Sequence, residues 1–160
     1  MENTVTSILA FLEFSERLKY ELRHSWVSNG RQERVAEHCW HMALMAIATY
    51  QYLEHPVHIE RVLKMSVLHD LIEAETGDIP FFEESSRQRR KAEREQTAIK
   101  HIRAMLPEPV GQDTYTVWQE CEAGMTPEAQ VVKALDHLEV PLQHHRADLQ
   151  TWEEIEYDLV

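Results

Sequence analysis

The chain has 160 residues, 43% of them hydrophobic and 28% charged, which is the balance of one soluble globular domain. At this length folding removes roughly two-thirds of the unfolded chain's surface from water, so a core needs no disulfide staples. Sixteen Lys and Arg stand against 28 Asp and Glu, and the net charge of −12 disfavours long nucleic acids and acidic membrane surfaces as partners. No apolar run approaches the roughly 18 residues of a membrane span. The opening MENTVTSILAFLEF has neither a basic start nor a small-residue cleavage site, so a signal peptide is not expected. Cys39 and Cys121 show no CxxC or zinc-type spacing and are expected to be buried, reduced thiols of a cytoplasmic protein.

Only four glycines interrupt the sequence, and apolar positions recur mostly at spacings of three and four, which predicts helices throughout. The first is expected over about Thr6 to Leu22, with Ile8, Leu9, Leu12, Leu18 and Leu22 inward. The polar stretch Arg23 to Arg34, with Gly30, reads as a loop. A second helix is expected over about Glu33 to Leu53, with Val35, Cys39, Ala46 and Ile47 among its inner residues. A third is expected over about His58 to Glu75, stopped by Gly77 with Pro80 beyond. A fourth is expected from a Ser85 or Ser86 cap to about Leu106, and a fifth over about Asp113 to Glu122. Thr126-Pro127-Glu128 starts a sixth, which Pro141 should kink or end, and a last stretch, Asp148 to Val160, reads as helical. The expected architecture is all-α: a compact single-domain bundle of five to seven helices over residues 1–160. Arg87, Arg89, Arg90, Lys91 and Arg94 form a basic cluster, read as a solvated face paired with Glu93 and Glu95 or as an attractor of anionic substrates.

The richest chemistry lies in His69-Asp70-Leu71-Ile72-Glu73-Ala74-Glu75-Thr76-Gly77-Asp78. On a helix, His69 and Glu73 are i,i+4 neighbours and Asp70 and Glu73 are i,i+3 neighbours, so the three can converge on one small volume. Imidazole nitrogen with carboxylate oxygen suits a divalent transition metal. His38 lies on a core-facing stripe of the second helix, and Asp136 sits in an apolar stretch of the sixth. A buried Asp is costly unless paired or metal-bound. His38, His69, Asp70 and Asp136 thus make a four-ligand N₂O₂ set. His41, i,i+3 from His38, reads as a surface residue or one that supports His38. His137, His144 and His145 read as polar-face residues.

The ordered pieces VAEHCW, HDLIEAETGDIP and KALDHLE, behind the loop LRHSWVSNGRQERVAEH, resemble the HD-domain metal-dependent phosphohydrolases. The likeness spans about Leu22 to Asp148. It is similar to the small bacterial branch that includes 5′-deoxyribonucleotidases acting on nucleoside monophosphates. The resemblance implies the HD-domain fold and one divalent transition metal ion (Mn, Co, Zn, Fe, Ni or Cu) on His38, His69, Asp70 and Asp136. It implies Glu73 as the catalytic acid, Asp78 as a substrate contact or second acid/base near the cleavage site, and Arg23 as the phosphate-binding arginine. Trp26 follows in a loop that contacts substrate or packs. The family often reads Arg-x-Gly-Trp where this chain has Arg23-His24-Ser25-Trp26, and Ser25 lacks glycine's access to positive φ.

The resemblance therefore implies a hydrolase of phosphoric monoesters, acting on a small nucleotide, with no long nucleic acid and no membrane as partner. A homodimer is also implied, and Met42, Met45 and Trp118 are either its interface or core. The alternatives are a triphosphate or cyclic-nucleotide hydrolase on the same scaffold, or a non-catalytic helical module stabilised by its metal. A di-metal oxygenase needs further histidines between Asp70 and Asp136, where the chain has only His101.

Overall fold

The computed structural model describes residues 2–80 and 82–158. Its elements in chain order are α1 (Glu2–Ser15), a 3₁₀ turn (Glu16–Lys19), β1 (Leu22–Trp26), β2 (Gln32–Arg34), α2 (Val35–Thr49), a second 3₁₀ turn (Tyr50–Tyr52) and α3 (Ile59–Leu68). They continue with two single turns, α4 (Glu73–Thr76) and α5 (Ser86–Arg89), then α6 (Lys91–Met105), α7 (Val110–Ala123) and α8 (Pro127–His144). Short 3₁₀ segments, Leu149–Thr151 and Glu154–Asp158, follow. The fold is all-α, with one two-stranded antiparallel hairpin added.

Helix α2 organises the interior. Val35, Cys39, Met42 and Ala46 fall on one stripe at helical spacing and are all buried. Val35 and Cys39 join a core with Phe14, Leu71, Ile72, Ile99, Ile102 and Trp118. Met42 and Ala46 join a second with Val62, Met65, Val117, Val132 and Leu135. Met42 and Trp118 are thus core residues rather than a dimer surface, and Met45 packs against the second cluster. Both cysteines are buried and free.

Several expected boundaries move. The first helix stops at Ser15, and Leu22 opens a strand, 46% exposed. Its buried face is Phe14 and Leu18 with Phe11 against them, while Ile8, Leu9 and Leu12 are exposed. Both faces of this segment are apolar, so spacing alone picks the wrong one. The segment expected as a loop is the β1–β2 hairpin, turned at Gly30 with φ +87°. The expected fourth helix is two, separated at Arg90; Ser85 caps only the first, accepting the Gln88 N–H at 3.1 Å. Pro141 does not end α8, because it lies in the last turn, where one missing N–H costs one bond. The last segment is 3₁₀ rather than α-helix through Asp158, and Leu159 and Val160 lie outside the described residues.

Candidate metal and phosphoryl-transfer site

α3 ends just before the His-Asp pair. The His69 N–H still bonds Met65 O, but Leu71 bonds Leu68 O and Glu73 bonds Asp70 O, the tighter i→i−3 pattern. The Trp118 indole N–H donates to His69 O at 3.1 Å and ties this turn to the first core. His69 and Asp70 therefore stand on a braced turn, and Glu73 begins α4. Gly77, at φ +72°, ends that helix where a Cβ would lie 3.1 Å from Glu21 Oε1. The same oxygen accepts the Asp78 N–H at 3.1 Å, which fixes the chain as Asp78 enters the site.

Four expected residues meet. His38 Nε2 lies 3.2 Å from Asp136 Oδ1 and 3.7 Å from Asp70 Oδ2, and His69 Nε2 lies 3.2 Å from Asp70 Oδ2. Ligands on bonds of about 2.1 Å to one ion sit about 3–3.5 Å from one another, the spacing of the two 3.2 Å pairs, and donor atoms of His38, His69 and Asp136 all lie within 4.8 Å of one another. Asp136 is at the cleft wall, its side chain 37% exposed, rather than sealed in the core. His38 Nδ1 lies 3.0 Å from Glu139 Oε2, and His69 Nδ1 lies 3.1 Å from Ser66 O. Each Nδ1–H donates to these acceptors, so that each ring, when neutral, turns its Nε2 lone pair to the cluster. Both Nε2 atoms are buried without a hydrogen-bond partner among the described residues. Cys39 also lies near His69 and Asp70, but burial pushes its thiol pKa up and keeps it protonated.

The electrostatics favour a cation here. Burial opposes charge on His69 and His38, yet Asp70 holds the first, and Asp136 with Glu139 the second, above the ordinary imidazole pKa. Burial likewise opposes ionisation of Asp70, and His69 outweighs it and lowers the carboxyl. Burial, Asp70 and Asp78 push Glu73 well up. Arg23 Nη1 is 3.5 Å from Asp70 Oδ2, and its Nε is 3.3 Å from Glu33 Oε2. Burial disfavours its charge, and the surrounding carboxylates more than restore it. Burial and the charge of Glu139 raise Glu33 to about 7 against Arg23 and His38.

Arg23, Asp70, Glu73, Asp78 and Asp136 line one cleft of about 400 Å³. Lys91 of the basic cluster also lines it, paired with Glu95 at 3.7 Å, while Arg87 pairs with Glu83. Trp26 does not line it; it ends β1 half-buried, its carbonyl accepting from Gln143 at 3.1 Å. His101 is apart from the cluster, bound to Glu75 at 2.6 Å. No described residue other than glycine has positive φ, so Ser25, buried within β1, needs none of glycine's freedom.

The HD domain family matches residues 15–160. The chain belongs to that family. Its relatives include the 5′-deoxynucleotidase HDDC2 of Danio rerio, 35% identical over 141 residues, which are 87% of this chain and 68% of that protein. The 5′-deoxynucleotidase HDDC2 of Homo sapiens is 33% identical over 139 residues, 86% of this chain and 66% of that protein. The chain thus spans about two-thirds of the length of these relatives. A predicted metal-dependent phosphohydrolase from Magnetospirillum magnetotacticum MS-1 superposes with a TM-score of 0.83 at 32% identity, covering 91% of this chain and 72% of that one.

The HD domain adds residues to the site that spacing did not single out. Glu139 is fully buried and its two oxygens take His38 and His41, so His41 supports His38 through it. Its signal was an acid three residues beyond Asp136 on the same inner face. Glu33 backs Arg23 across the hairpin. His144, expected on a polar face, is buried and bonds Glu156 at 2.8 Å.

Proposed function

We propose that this HD domain is a metal-dependent 5′-deoxynucleotidase, a hydrolase releasing phosphate from deoxynucleoside 5′-monophosphates, with His38, His69, Asp70 and Asp136 holding one divalent transition metal ion. The observation that carries the reading is the pair of buried Nε2 atoms, each oriented by an Nδ1 hydrogen bond and facing two carboxylates. The curated relatives' names support the substrate class. When bound, the ion supplies Lewis acidity that activates water and offsets charge on the phosphoryl oxygens. Arg23 holds phosphate oxygens through a guanidinium whose direction is set by Glu33. Glu73, lining the cleft with Oε2 unpartnered among the described residues, moves the proton between water and leaving group. Asp78, beside it, contacts the sugar or serves as the second acid/base. Trp26 takes no part in this reading.

A homodimer belongs to the same proposal, supported by the exposed stripe Val5, Ile8, Leu9 and Leu12 on α1, which a second copy would cover. A cytoplasmic setting is supported by the two free, buried cysteines. No described helix is long and apolar enough to cross a membrane.

The test is phosphate release from mono-, di-, tri- and cyclic nucleotides with Mn²⁺, Co²⁺, Zn²⁺ or Mg²⁺. Release from monophosphates alone is expected, and Asp70→Asn abolishes it; activity surviving in that variant removes the site. Glu73→Ala keeps the metal and loses about 10²–10⁴ in kcat. Loss of metal in that variant reassigns Glu73 as a ligand.

A further inference from the structure

The cleft holds a group of residues that metal binding and phosphate capture leave unused: His24, Phe82, His144 and Glu156. Glu156 arrives from the 3₁₀ segment Glu154–Asp158 and is buried, 5% exposed. Its Oε1 lies 2.8 Å from His144 Nε2 and 3.4 Å from His24 Nε2, and its Oε2 accepts the Glu153 N–H at 2.7 Å. Among the described residues, both ion pairs of this buried carboxylate are with histidines. A buried carboxylate is costly, and the segment is fastened well enough to hold it. Trp152 packs edge-on to His144 at 5.1 Å, Tyr157 packs on Trp152 at 5.3 Å, and the Tyr157 hydroxyl donates to Leu149 O at 3.2 Å.

On β1, the pairs Leu22–Arg34 and Trp26–Gln32 enclose four steps on one strand against two on the other. That irregularity breaks the usual alternation of faces, so the consecutive side chains of Arg23 and His24 both line the cleft. A phosphate held by Arg23 has its sugar within one residue's reach of His24. There His24 and Phe82 meet edge to face, centroids 5.0 Å apart and planes at 84°. Two perpendicular aromatic walls offer one face for stacking and one edge for hydrogen bonding. His24 Nε2 is taken up by its contact with Glu156, so the ring offers its remaining edge and its face to a ligand.

We propose that His24 and Phe82 form the nucleoside seat of this cleft, and that Glu156 positions His24 within it. The inference rests on the nucleotidase reading for its substrate and extends it to the part of the substrate that is not phosphate. Glu156 is a positioning residue, because it acts through His24.

The experiment compares wild type, His24→Ala, Glu156→Ala, Glu156→Gln and the double alanine variant, all metal-loaded. It reads kcat and KM for a deoxynucleoside monophosphate, calorimetric binding of that nucleotide to the Asp78→Asn form of each, and binding of inorganic phosphate. His24→Ala is expected to raise KM about tenfold with a smaller change in kcat, and to leave phosphate affinity unchanged. Glu156→Ala does the same, Glu156→Gln recovers part of the loss, and the double variant is no worse than His24→Ala alone, since one residue acts through the other. Equal losses for nucleotide and phosphate, unchanged KM, or additive effects overturn the assignment. If wild type turns over no nucleotide, the nucleotidase reading fails. Nucleotide binding then decides the seat: a selective loss in His24→Ala keeps it, and unaltered binding ends it.

Discussion

Glu139 lies fully buried on α8, with one oxygen on His38 Nδ1 and the other on His41 Nδ1. Burial opposes its ionisation, and the bonds from His38 and His41 outweigh that and hold its pKa below the ordinary glutamate value. A carboxylate behind an imidazole fixes the tautomer and makes the far nitrogen a better donor to metal. Glu139→Gln keeps the volume but loses the charge and turns one oxygen into a donor facing an imidazole N–H. Metal affinity by chelator competition is expected to fall about 10–100-fold, with the fold intact by circular dichroism. Glu139→Ala adds a stability loss of about 1–3 kcal/mol by leaving the buried His38 N–H unpaired. An unchanged metal affinity in both variants would show that His38 needs no support. That His38, His69, Asp70 and Asp136 would meet was legible, because residues of these types in that chain order are rare by chance. Glu139 shares the inner face of Asp136, but its pairing with His38 and His41 was not legible, nor was that of Glu156, because an acid's spacing does not name its partner.

The hairpin is the element that sequence patterning hid. Arg-His-Ser-Trp and Gln-Glu-Arg carry no alternation of apolar and polar residues, and the irregular pairing of β1 removes even the period of two. What builds it is polar. Arg31 donates to both Glu37 oxygens at 2.7 Å, and Glu37 Oε2 also accepts the Arg34 N–H at 3.0 Å, where α2 begins. One carboxylate thus caps α2 and ties the returning strand to it, which steadies β1 and Arg23 behind it. The bonds from Arg31 are the main reason that the Glu37 pKa is lowered, with a smaller opposing effect of burial. A depressed carboxylate stabilises the fold above its unfolded pKa and stops doing so as pH falls through the folded one. Glu37→Gln is therefore expected to cost about 1 kcal/mol at neutral pH, a Tm drop of about 2–4 °C, discounted to this level because the site is partly exposed. The gap between variant and wild type should close as pH falls below about 4, near and under the ordinary glutamate value. A gap that persists at low pH would assign the loss to packing. The long helices were legible from spacing, but not the breaks after Leu68 and at Arg90 or the 3₁₀ form of the last segment. The choice of face on α1 was not, since Phe11 and Phe14 compete with Ile8, Leu9 and Leu12 for the interior.

At the scale of the whole molecule, a net charge of −12 surrounds a cleft proposed to receive a phosphate dianion. Five of the carboxylates, Asp70, Glu73, Asp78, Asp136 and Glu156, line that cleft, against Arg23 and Lys91. The charge that excludes a long nucleic acid therefore has a different meaning for a small nucleotide. Far from the surface the nucleotide meets repulsion from the whole protein, and near the cleft it meets Arg23, Lys91 and the proposed ion. These two fields differ in range. At about 0.01 M salt the screening length is about 30 Å, so the repulsion of the whole molecule reaches the approaching substrate. At about 0.15 M it shrinks to about 8 Å, which removes most of that repulsion and spares contacts made within the cleft. kcat/KM for a deoxynucleoside monophosphate is expected to rise several-fold between those salt concentrations, the reverse of a basic, substrate-steering enzyme. Binding of the uncharged deoxynucleoside should stay flat over the same range, which separates screening from a change in the protein. Lys91→Gln should lower kcat/KM at every salt concentration and leave the upward slope in place. A fall of kcat/KM with added salt in the wild type would mean that the field at the cleft mouth, not the net charge, governs encounter.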